Sequence, residues 1–505
     1  MKCVDLTKET LKIVGVNFSY NKQKQKEKNF LDLVRAIEDI LKVWRMRNLT
    51  LEGKIIIFKS LAISKLVYIS LMVNVPKQII NQLIKIQKSF LWINMKTKIK
   101  HETTCLDFKE GGLKNVDINK KVASVQFSWI RRLYDNCFHE WKLIPLKLIE
   151  LSFGKNFKFH SNFNFHNSLI NNFPLFYKII FDNWKNQFTY FPNATSCILS
   201  QFIWFNRYVT INNTQVYFEK FSHKNINFVS DFFNEQGDIR KWENFKTIFN
   251  CTNDMHFQWI QLVHSIPKKW IDNIKNNRDL NFVNLTVRDH NICTNNRICT
   301  LNKLTAKEIY KIIISFQVHK PTSQQYFRNL FTDTTFDWDE IYLNPRTATK
   351  NTYLRNFQYK ILNNVLYLNK KLFLFGKTLS PLCSFCKLVD ETIIHAFNEC
   401  LVVQDLWSQL KESLKSEIAL PNLTPQTAIL GFSDSTNDRF LINHILLIFK
   451  LHIFKSREKG NLSIIRLIND IKNIKRTEDF LSSSNVHKTK LYNEKWGKTN
   501  RTLPI

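Results

Sequence analysis

The sequence predicts a mainly α-helical protein with a short strand near its start and a small metal-binding module near its end. Three observations carry that expectation. Apolar residues recur at three- and four-residue spacing in 30–44, 79–90 and 354–372, the period of helices with one buried face. Apolar and polar residues alternate at Leu11–Tyr20, as in a strand with one wet face. Three cysteines and a histidine fall between Cys383 and Cys400 at metal-ligand spacing,. The length of 505 residues allows about three domains,.

Taken in order, Val14, Val16, Phe18 and Tyr20 form the apolar side of the N-terminal strand, and Lys22–Lys28 (KQKQKEK) reads as a basic turn. Phe30, Leu33, Val34, Ile37, Ile40, Leu41 and Trp44 define a first amphipathic helix. Thr50 is placed to cap a second, with Glu52 in its first turn,. That helix is expected to run unbroken over 53–73, to the stop at Pro76. At about 100° per residue, Lys54 and Lys65 would project from one face, with Lys59 about 140° away. A third helix carries Ile79, Leu83, Ile86 and Phe90, and the short connections favour a helical bundle over 28–95,. Residues 136–345 are rich in Phe, Asn and Lys, with mixed periodicity and no visible repeat. Within them, Asp333–Glu340 reads as a solvated turn and cap. From Leu354 to Leu372 the spacing describes one helix with an apolar seam and Arg355, Lys360, Lys370 and Lys371 outside it,. The tail reads as helical at 440–455 and 461–475, with a polar, partly disordered end over 482–505.

Composition limits the function classes. The chain has 73 Lys and Arg against 42 Asp and Glu, a net charge of +31, which favours polyanionic partners,. The excess concentrates at the two ends: 20 basic and 7 acidic residues in 1–100, and 13 and 5 in 441–505. With 44% hydrophobic residues a largely disordered basic protein is excluded,. Only 10 glycines and no phosphate-loop or dinucleotide fingerprint argue against a glycine-cradled nucleotide enzyme,. The first ten residues lack an apolar signal core, and the apolar runs 55–75 and 440–454 are interrupted by Lys59, Lys65 and Lys450,. The expectation is an intracellular, non-membrane protein, nuclear or in a cytoplasmic ribonucleoprotein, whose cysteines are thiols or metal ligands.

The pattern Cys383-x2-Cys386-x8-His395-x4-Cys400 offers three thiolates and one imidazole. That set suits a closed tetrahedral zinc site, structural rather than catalytic, because no position is left for water. One zinc per chain is expected. Cys293 and Cys299 read as ordinary residues, Trp407 as core packing, and His160, His166, His256 and His264 form no recognisable hydrolase constellation.

Leu354–Cys386, followed by Glu391, Thr392, His395, Phe397, Cys400 and Trp407, resembles the zinc-binding C-terminal region of LINE-type (non-LTR) retrotransposon reverse transcriptases. A second block, with Trp44, Arg47, Leu49, Leu51, Gly53, Lys54, Lys59, Leu61, Ser64, Lys65 and Tyr68, resembles the thumb of the same enzymes. Pro76, Phe90, Trp92, Gly111-Gly112-Leu113 and Trp129–Leu133 follow in the family's order, and Leu11–Tyr20 resembles the strand region that closes the palm. The resemblance implies a palm remnant over 1–27 and a thumb-like helical bundle over 28–135. A largely helical connector over 136–345, a zinc-binding domain over 346–412 and a basic helical tail over 413–505 would follow. It implies RNA-directed DNA polymerase ancestry and partners among element RNA, RNA–DNA hybrid and target DNA. Lys54, Lys59 and Lys65 on the thumb, and Arg355 and Lys387 beside the zinc module, would be the nucleic-acid contacts.

The family's polymerase holds two divalent metals on paired aspartates. The sequence contains no Asp-Asp pair, so catalytic metals are not expected on this chain. By family order that site would precede residue 1, and the expectation is a truncated or mis-started reading frame, inactive alone. The alternative is a zinc-stabilised structural or protein-interaction protein derived from such an element.

Overall fold

The computed structural model describes residues 10–92, 98–277, 286–294, 297–316, 320–332, 335–433, 438–483 and 486–497. Helix accounts for 62% of the structure and strand for 6%, so the chain is mainly α as expected.

Leu11–Tyr20 departs from the single strand. Leu11–Ile13 and Val16–Phe18 pair antiparallel, Leu11 opposite Phe18 and Ile13 opposite Val16. The turn between them puts Val14 and Gly15 at φ 46° and 81°. A two-residue hairpin of this mirror-image type I form has positive φ at both central positions, which Gly15 supplies readily and Val14 only under strain. Val14 is exposed, while Val16 is fully buried. Asn29 ties the hairpin down: its Nδ2 donates to the Asn17 carbonyl at 2.6 Å and its Oδ1 accepts from the Asn17 N–H at 2.9 Å.

The basic turn is helical. Asn21 accepts from the N–H groups of Gln23 and Lys24, capping Lys22–Lys26. A π-helical turn, Glu27–Leu31, leads into Asp32–Arg45. Thr50 caps the next helix as expected, accepting from the Gly53 N–H at 3.2 Å. That helix is not continuous: Leu51–Ile57 passes through a π-helical turn, Phe58–Ile63, into Ser64–Ser70. The wider turn changes the angle per residue, so the placement of Lys54 and Lys65 on one face fails. Lys77–Trp92 matches the third expected helix.

The chain divides into two units: Met1–Ile40, Leu61–Ile86 and Asp117–Val318 form the first, and Leu41–Ser60, Gln87–Val116 and His319–Ile505 the second. Residues 28–135, read as one bundle, are thus shared between both. The expected boundaries after 345 and 412 lie within the second.

The first unit contains most of the stretch that resisted reading. Its helices, among them Ile118–Leu133, Leu143–Phe153, Leu175–Gln187 and Ala306–Ser315, surround a core made largely of aromatic rings. Phe153 lies 5.0 Å from Phe157, and 5.2 Å from both Phe163 and Phe205. Two indole N–H groups buried in this core find acceptors, Trp184 on the His160 carbonyl and Trp204 on Asn227, as a buried polar atom favours, whereas that of the buried Trp270 has none. Within the Trp129–Leu133 block, Trp129 donates to the Leu71 carbonyl at 2.8 Å.

The second unit packs Trp338–Ala348, Thr352–Leu362, Leu401–Leu414, Arg439–Ser456 and Ile464–Ser482 around Leu354, Ile361, Leu410, Phe449 and Leu467. The expected 354–372 helix is broken: it stops at Leu362 and resumes as Asn369–Leu374. Asn364, at φ 52°, turns the chain; asparagine enters the left-handed region at little cost. Asp337 caps Trp338–Ala348 by accepting from the Glu340 N–H, in keeping with the turn-and-cap reading; Asp333 and Thr334 lie outside the described residues. At the C-terminal end, Val486–Trp496 is helical and Trp496 is buried, against the expectation of a disordered tail; 484–485 and 498–505 lie outside the described residues.

Gly111-Gly112-Leu113 has a steric reason. A Cβ on Gly112 would lie 2.0 Å from the Leu106 carbonyl oxygen, and one on Gly111 would lie 2.7 Å from the Tyr342 ring. The turn closes by bonds from the Leu113 N–H to the Thr104 carbonyl and from the Lys114 N–H to the Leu106 carbonyl.

Candidate metal centre

The four sequence-predicted ligands meet. The donor atoms of Cys383, Cys386, His395 and Cys400 all lie within 4.8 Å of one another. Three pieces of local structure bring them there. Cys383 and Cys386 sit on a tight knuckle in which the Lys387 N–H bonds the Cys383 carbonyl at 3.1 Å and the Phe385 N–H faces the Cys383 sulfur at 3.5 Å. Lys387, at φ 57°, completes the turn. The Cys383 N–H bonds to the Val389 carbonyl, so the chain returns alongside itself. His395 opens a π-helical turn, His395–Glu399, and its own N–H is held by Thr392 Oγ1 at 3.1 Å. Cys400 sits at the N-terminus of the 14-residue helix Leu401–Leu414.

The spacing fits a four-coordinate ion. A tetrahedron with metal–sulfur bonds of about 2.3 Å has sulfur–sulfur edges of about 3.8 Å and sulfur–nitrogen edges of about 3.6 Å. Here Cys383 Sγ and Cys400 Sγ are 3.9 Å apart, and Cys386 Sγ and His395 Nε2 are 3.3 Å apart. The set can therefore hold a metal ion. Among the described residues it is the one group of three or more His, Cys, Asp or Glu side chains so arranged.

The Cys383 thiol donates to the Cys400 sulfur at 3.9 Å. Cys400, accepting from the Cys383 thiol and from backbone N–H groups at the start of its helix, is pushed down to about 7. Cys383, donating to Cys400 and desolvated, is pushed up to about 12. A helix N-terminus favours a thiolate, so one ligand is prepared for a cation before it arrives.

Beneath the knuckle lies a buried ion pair whose role the sequence did not disclose. Glu391 is fully buried. Its carboxylate accepts from the Asn369 N–H at 2.8 Å, the Ser384 N–H at 3.3 Å and Arg457 Nε at 2.9 Å. Arg457 also donates to the Tyr367 carbonyl and to Asn369 Oδ1. Glu391 therefore fixes the residue between the first two cysteines to a helix end 22 positions upstream. Glu391 and Thr392 were visible as residues of the resemblance. Arg457, 66 positions downstream, had no local signal.

The expected nucleic-acid contacts separate. Lys65 and Lys387 are exposed. Lys54 is buried, its ammonium donating to the Leu91 carbonyl at 3.3 Å and standing 6.0 Å from the Phe90 ring, and burial lowers its pKa. Lys59 is half-buried and bonds the Lys114 carbonyl. Arg355 is half-buried, donating to the Thr349 carbonyl at 2.7 Å and the Arg346 carbonyl at 3.2 Å. These three serve local structure. Lys360 and Lys371, expected on the outside of the 354–372 helix, are half-buried, with Lys371 bonded to Asn364 at 2.6 Å. Trp407 is buried, 4.9 Å from Phe449, and donates to the Pro421 carbonyl, as core packing requires.

The histidines considered for hydrolysis occupy unrelated places. His160 is fully buried and pushed down to about 3 by burial; His166 accepts from the Ser168 N–H; His256 stacks on Trp242 at 4.8 Å. Cys293 and Cys299 lie on paired strands one position out of register, Cys293 opposite Ile298 and Cys299 opposite Ile292, so they point to opposite faces,.

Among the described residues no helix is long and apolar enough to cross a membrane. No protein-family model and no curated protein matches the chain.

Proposed function

We propose that this chain is a zinc-stabilised, nucleic-acid-binding part of a LINE-type reverse transcriptase, gripping element RNA, an RNA–DNA hybrid or target DNA through its basic surface. One observation carries the reading: the convergence of Cys383, Cys386, His395 and Cys400 at tetrahedral spacing, inside the segment whose sequence resembles that family's zinc-binding region. Three thiolates with one imidazole favour zinc over harder cations. The charge of +31 and the exposure of Lys65 and Lys387 support a backbone-reading mode with little base specificity,. Lys54 is left out of the contact set because it is buried. Polymerase chemistry is not assigned to this chain, which has no paired aspartates.

A second reading, a protein-interaction module, draws on one feature: Leu379, Leu388 and Val389 around the knuckle are 100%, 77% and 53% exposed. Salt separates the two. Phosphate contacts weaken steeply as salt rises, whereas an apolar interface does not.

The test has two arms. Elemental analysis of the purified chain should find about one zinc per molecule, and fewer in Cys383→Ser; no zinc in the wild type would end the zinc assignment. RNA binding measured from 50 to 300 mM salt should fall steeply. Lys65→Glu with Lys387→Glu should weaken it and flatten the slope by about one to two units, since each lost phosphate contact is worth about 0.7–0.9. Absence of RNA binding by the wild type would sink the reading.

A further inference from the structure

We propose that a cavity in the first unit, apolar in most of its lining and carrying lysines and amides, is a binding site for an unpaired nucleic-acid strand. The cavity has a volume of about 740 Å³ and is built from the N-terminal hairpin and helix, the turn before Lys77, the helix Ile118–Leu133 and the helix Leu175–Gln187. This rests on the reading of the chain as a nucleic-acid binder and assigns that activity a place.

The charge is one-sided. Lys22 and Lys77 are exposed on the cavity lining, and Lys26 is half-buried, its ammonium 2.6 Å from Gln78 Oε1. A fourth lysine, Lys120, is buried and paired with Asp117 at 3.3 Å. Asp117 is the one acid among the described lining residues. Its charge is offset there, which leaves the other three lysines to set the potential.

The lining is mostly apolar, with amides set among it, including Asn74, Gln126, Asn183 and Gln187. Gln126 donates to Asn74 at 3.1 Å, and Asn183 reaches Gln126 only at 3.5 Å. Amides supply both donors and acceptors, the complement of base edges. Phe176 and the exposed Met72 and Leu175 add apolar surface on which a ring can lie,.

These features discriminate between polyanions. A duplex presents phosphates on a convex surface and keeps its base edges paired, so it cannot reach amides inside a concavity. A run of carboxylates would satisfy the lysines but offers no donor to the lining amide oxygens and no ring for the apolar surface. An unpaired base carries exocyclic amines as donors, ring faces for the apolar part and a phosphate on each side for the lysines. The volume lies within the range of small-ligand pockets, about 300–1,000 Å³, suited to one or two nucleotides rather than a helix.

The experiment uses the full chain and a fluorescent 12-nucleotide oligocytidylate, whose bases carry the exocyclic amine, with an RNA duplex of equal length and a polyglutamate peptide as comparisons. Lys22→Glu, Lys26→Glu and Lys77→Glu together should weaken single-strand binding at least about thirtyfold at 100 mM salt. The slope of log affinity against log salt should fall by about 2, at about 0.7 per phosphate. Asn183→Leu with Gln187→Leu should cost about tenfold for the single strand, with no change in slope and none for the duplex. Crosslinking of 4-thiouridine RNA to wild type should map to residues 72–77 and 175–187, a readout independent of whether the variants fold. Wild-type RNA binding that the lysine variant leaves intact, or crosslinks elsewhere, would overturn the cavity while leaving the nucleic-acid reading standing. A wild type that binds no RNA overturns both. Polyglutamate binding that shows the losses expected for RNA, with RNA unaffected, would make the cavity a protein site.

Discussion

Around Phe153 the chain is held by ring against ring, with three other phenylalanines within about 5 Å and no polar side chain required. Around Cys383 it is held by four donor atoms and a buried carboxylate–guanidinium pair, with several large apolar side chains left facing solvent. The first region has enough apolar mass to fold by burial, and many arrangements of rings fill a volume almost equally well. The second also joins an apolar core, in which Cys383, Phe397 and Cys400 are buried, but ligation adds the demand that particular atoms sit at particular spacings. Ligand sets therefore write themselves into motifs, and large aromatic cores do not.

The largest expected effect breaks the second region alone. Chelation, or Cys383→Ser, should remove stabilisation on the order of 10 kcal/mol from the knuckle. Hydrogen exchange should then accelerate over 382–400 while protection over 153–205 is unchanged. Undiminished protection of 382–400 after chelation would mean that packing alone holds the knuckle.

The reciprocal perturbation is Phe153→Ala. Its buried ring should cost about 3–5 kcal/mol in urea unfolding of the first unit and leave metal content untouched. Leu388→Ala, at a 77% exposed position beside the ligands, should change stability by no more than about 0.5 kcal/mol. If Phe153→Ala were equally mild, the aromatic region would not be the tightly packed body its ring distances describe.

Glu391→Gln sharpens the contrast from the other side. It leaves Arg457 buried beside a neutral amide, a loss of about 3–5 kcal/mol. Because the carboxylate anchors Ser384 between two ligands, metal release should also quicken by about 10–100-fold. Competition with a chromogenic chelator measures that rate. A destabilised variant with unaltered metal release would reduce Glu391 to a packing role.

The same contrast explains what the sequence disclosed. Cys383, Cys386, His395 and Cys400 were legible because ligand spacing is local and chemically narrow. The helices at 32–45 and 77–92 were legible because one face is buried at a regular period. The π-helical turn at 58–63 was not, because no residue pattern marks where the helix widens,; Lys54, read as a surface cation, is buried. The break at Asn363–Leu368 was missed for a related reason: Val365 and Leu368 continue the seam arithmetically although Asn364 turns the backbone. The cavity was beyond reach because its walls come from segments up to 169 positions apart, Phe18 to Gln187, with no shared pattern.

The smallest effect concerns Lys450, in the sequence merely an interruption of an apolar run. It is buried inside Arg439–Ser456, donating to Gln358 at 2.7 Å and to the Ile429 carbonyl at 3.4 Å. Burial pushes its pKa down to about 7 from the ordinary 10.5. Below about pH 7 both folded and unfolded chains carry the charge, and the folded state bears its full desolvation cost. Between about pH 7 and 10.5 the folded chain has released the proton while the unfolded chain still binds it, so stability rises with pH, by at most about 1.4 kcal/mol per pH unit. Lys450→Met lacks this contribution. The unfolding free energy of wild type minus that of Lys450→Met should therefore climb from pH 7 to pH 10, while titration of the metal ligands, common to both proteins, cancels in the difference. Parallel pH curves would show that the ammonium remains charged in the core, with Gln358 and the carbonyl solvating it as water would. In that case polar satisfaction joins ring packing and metal ligation as a third way in which this chain holds its interior.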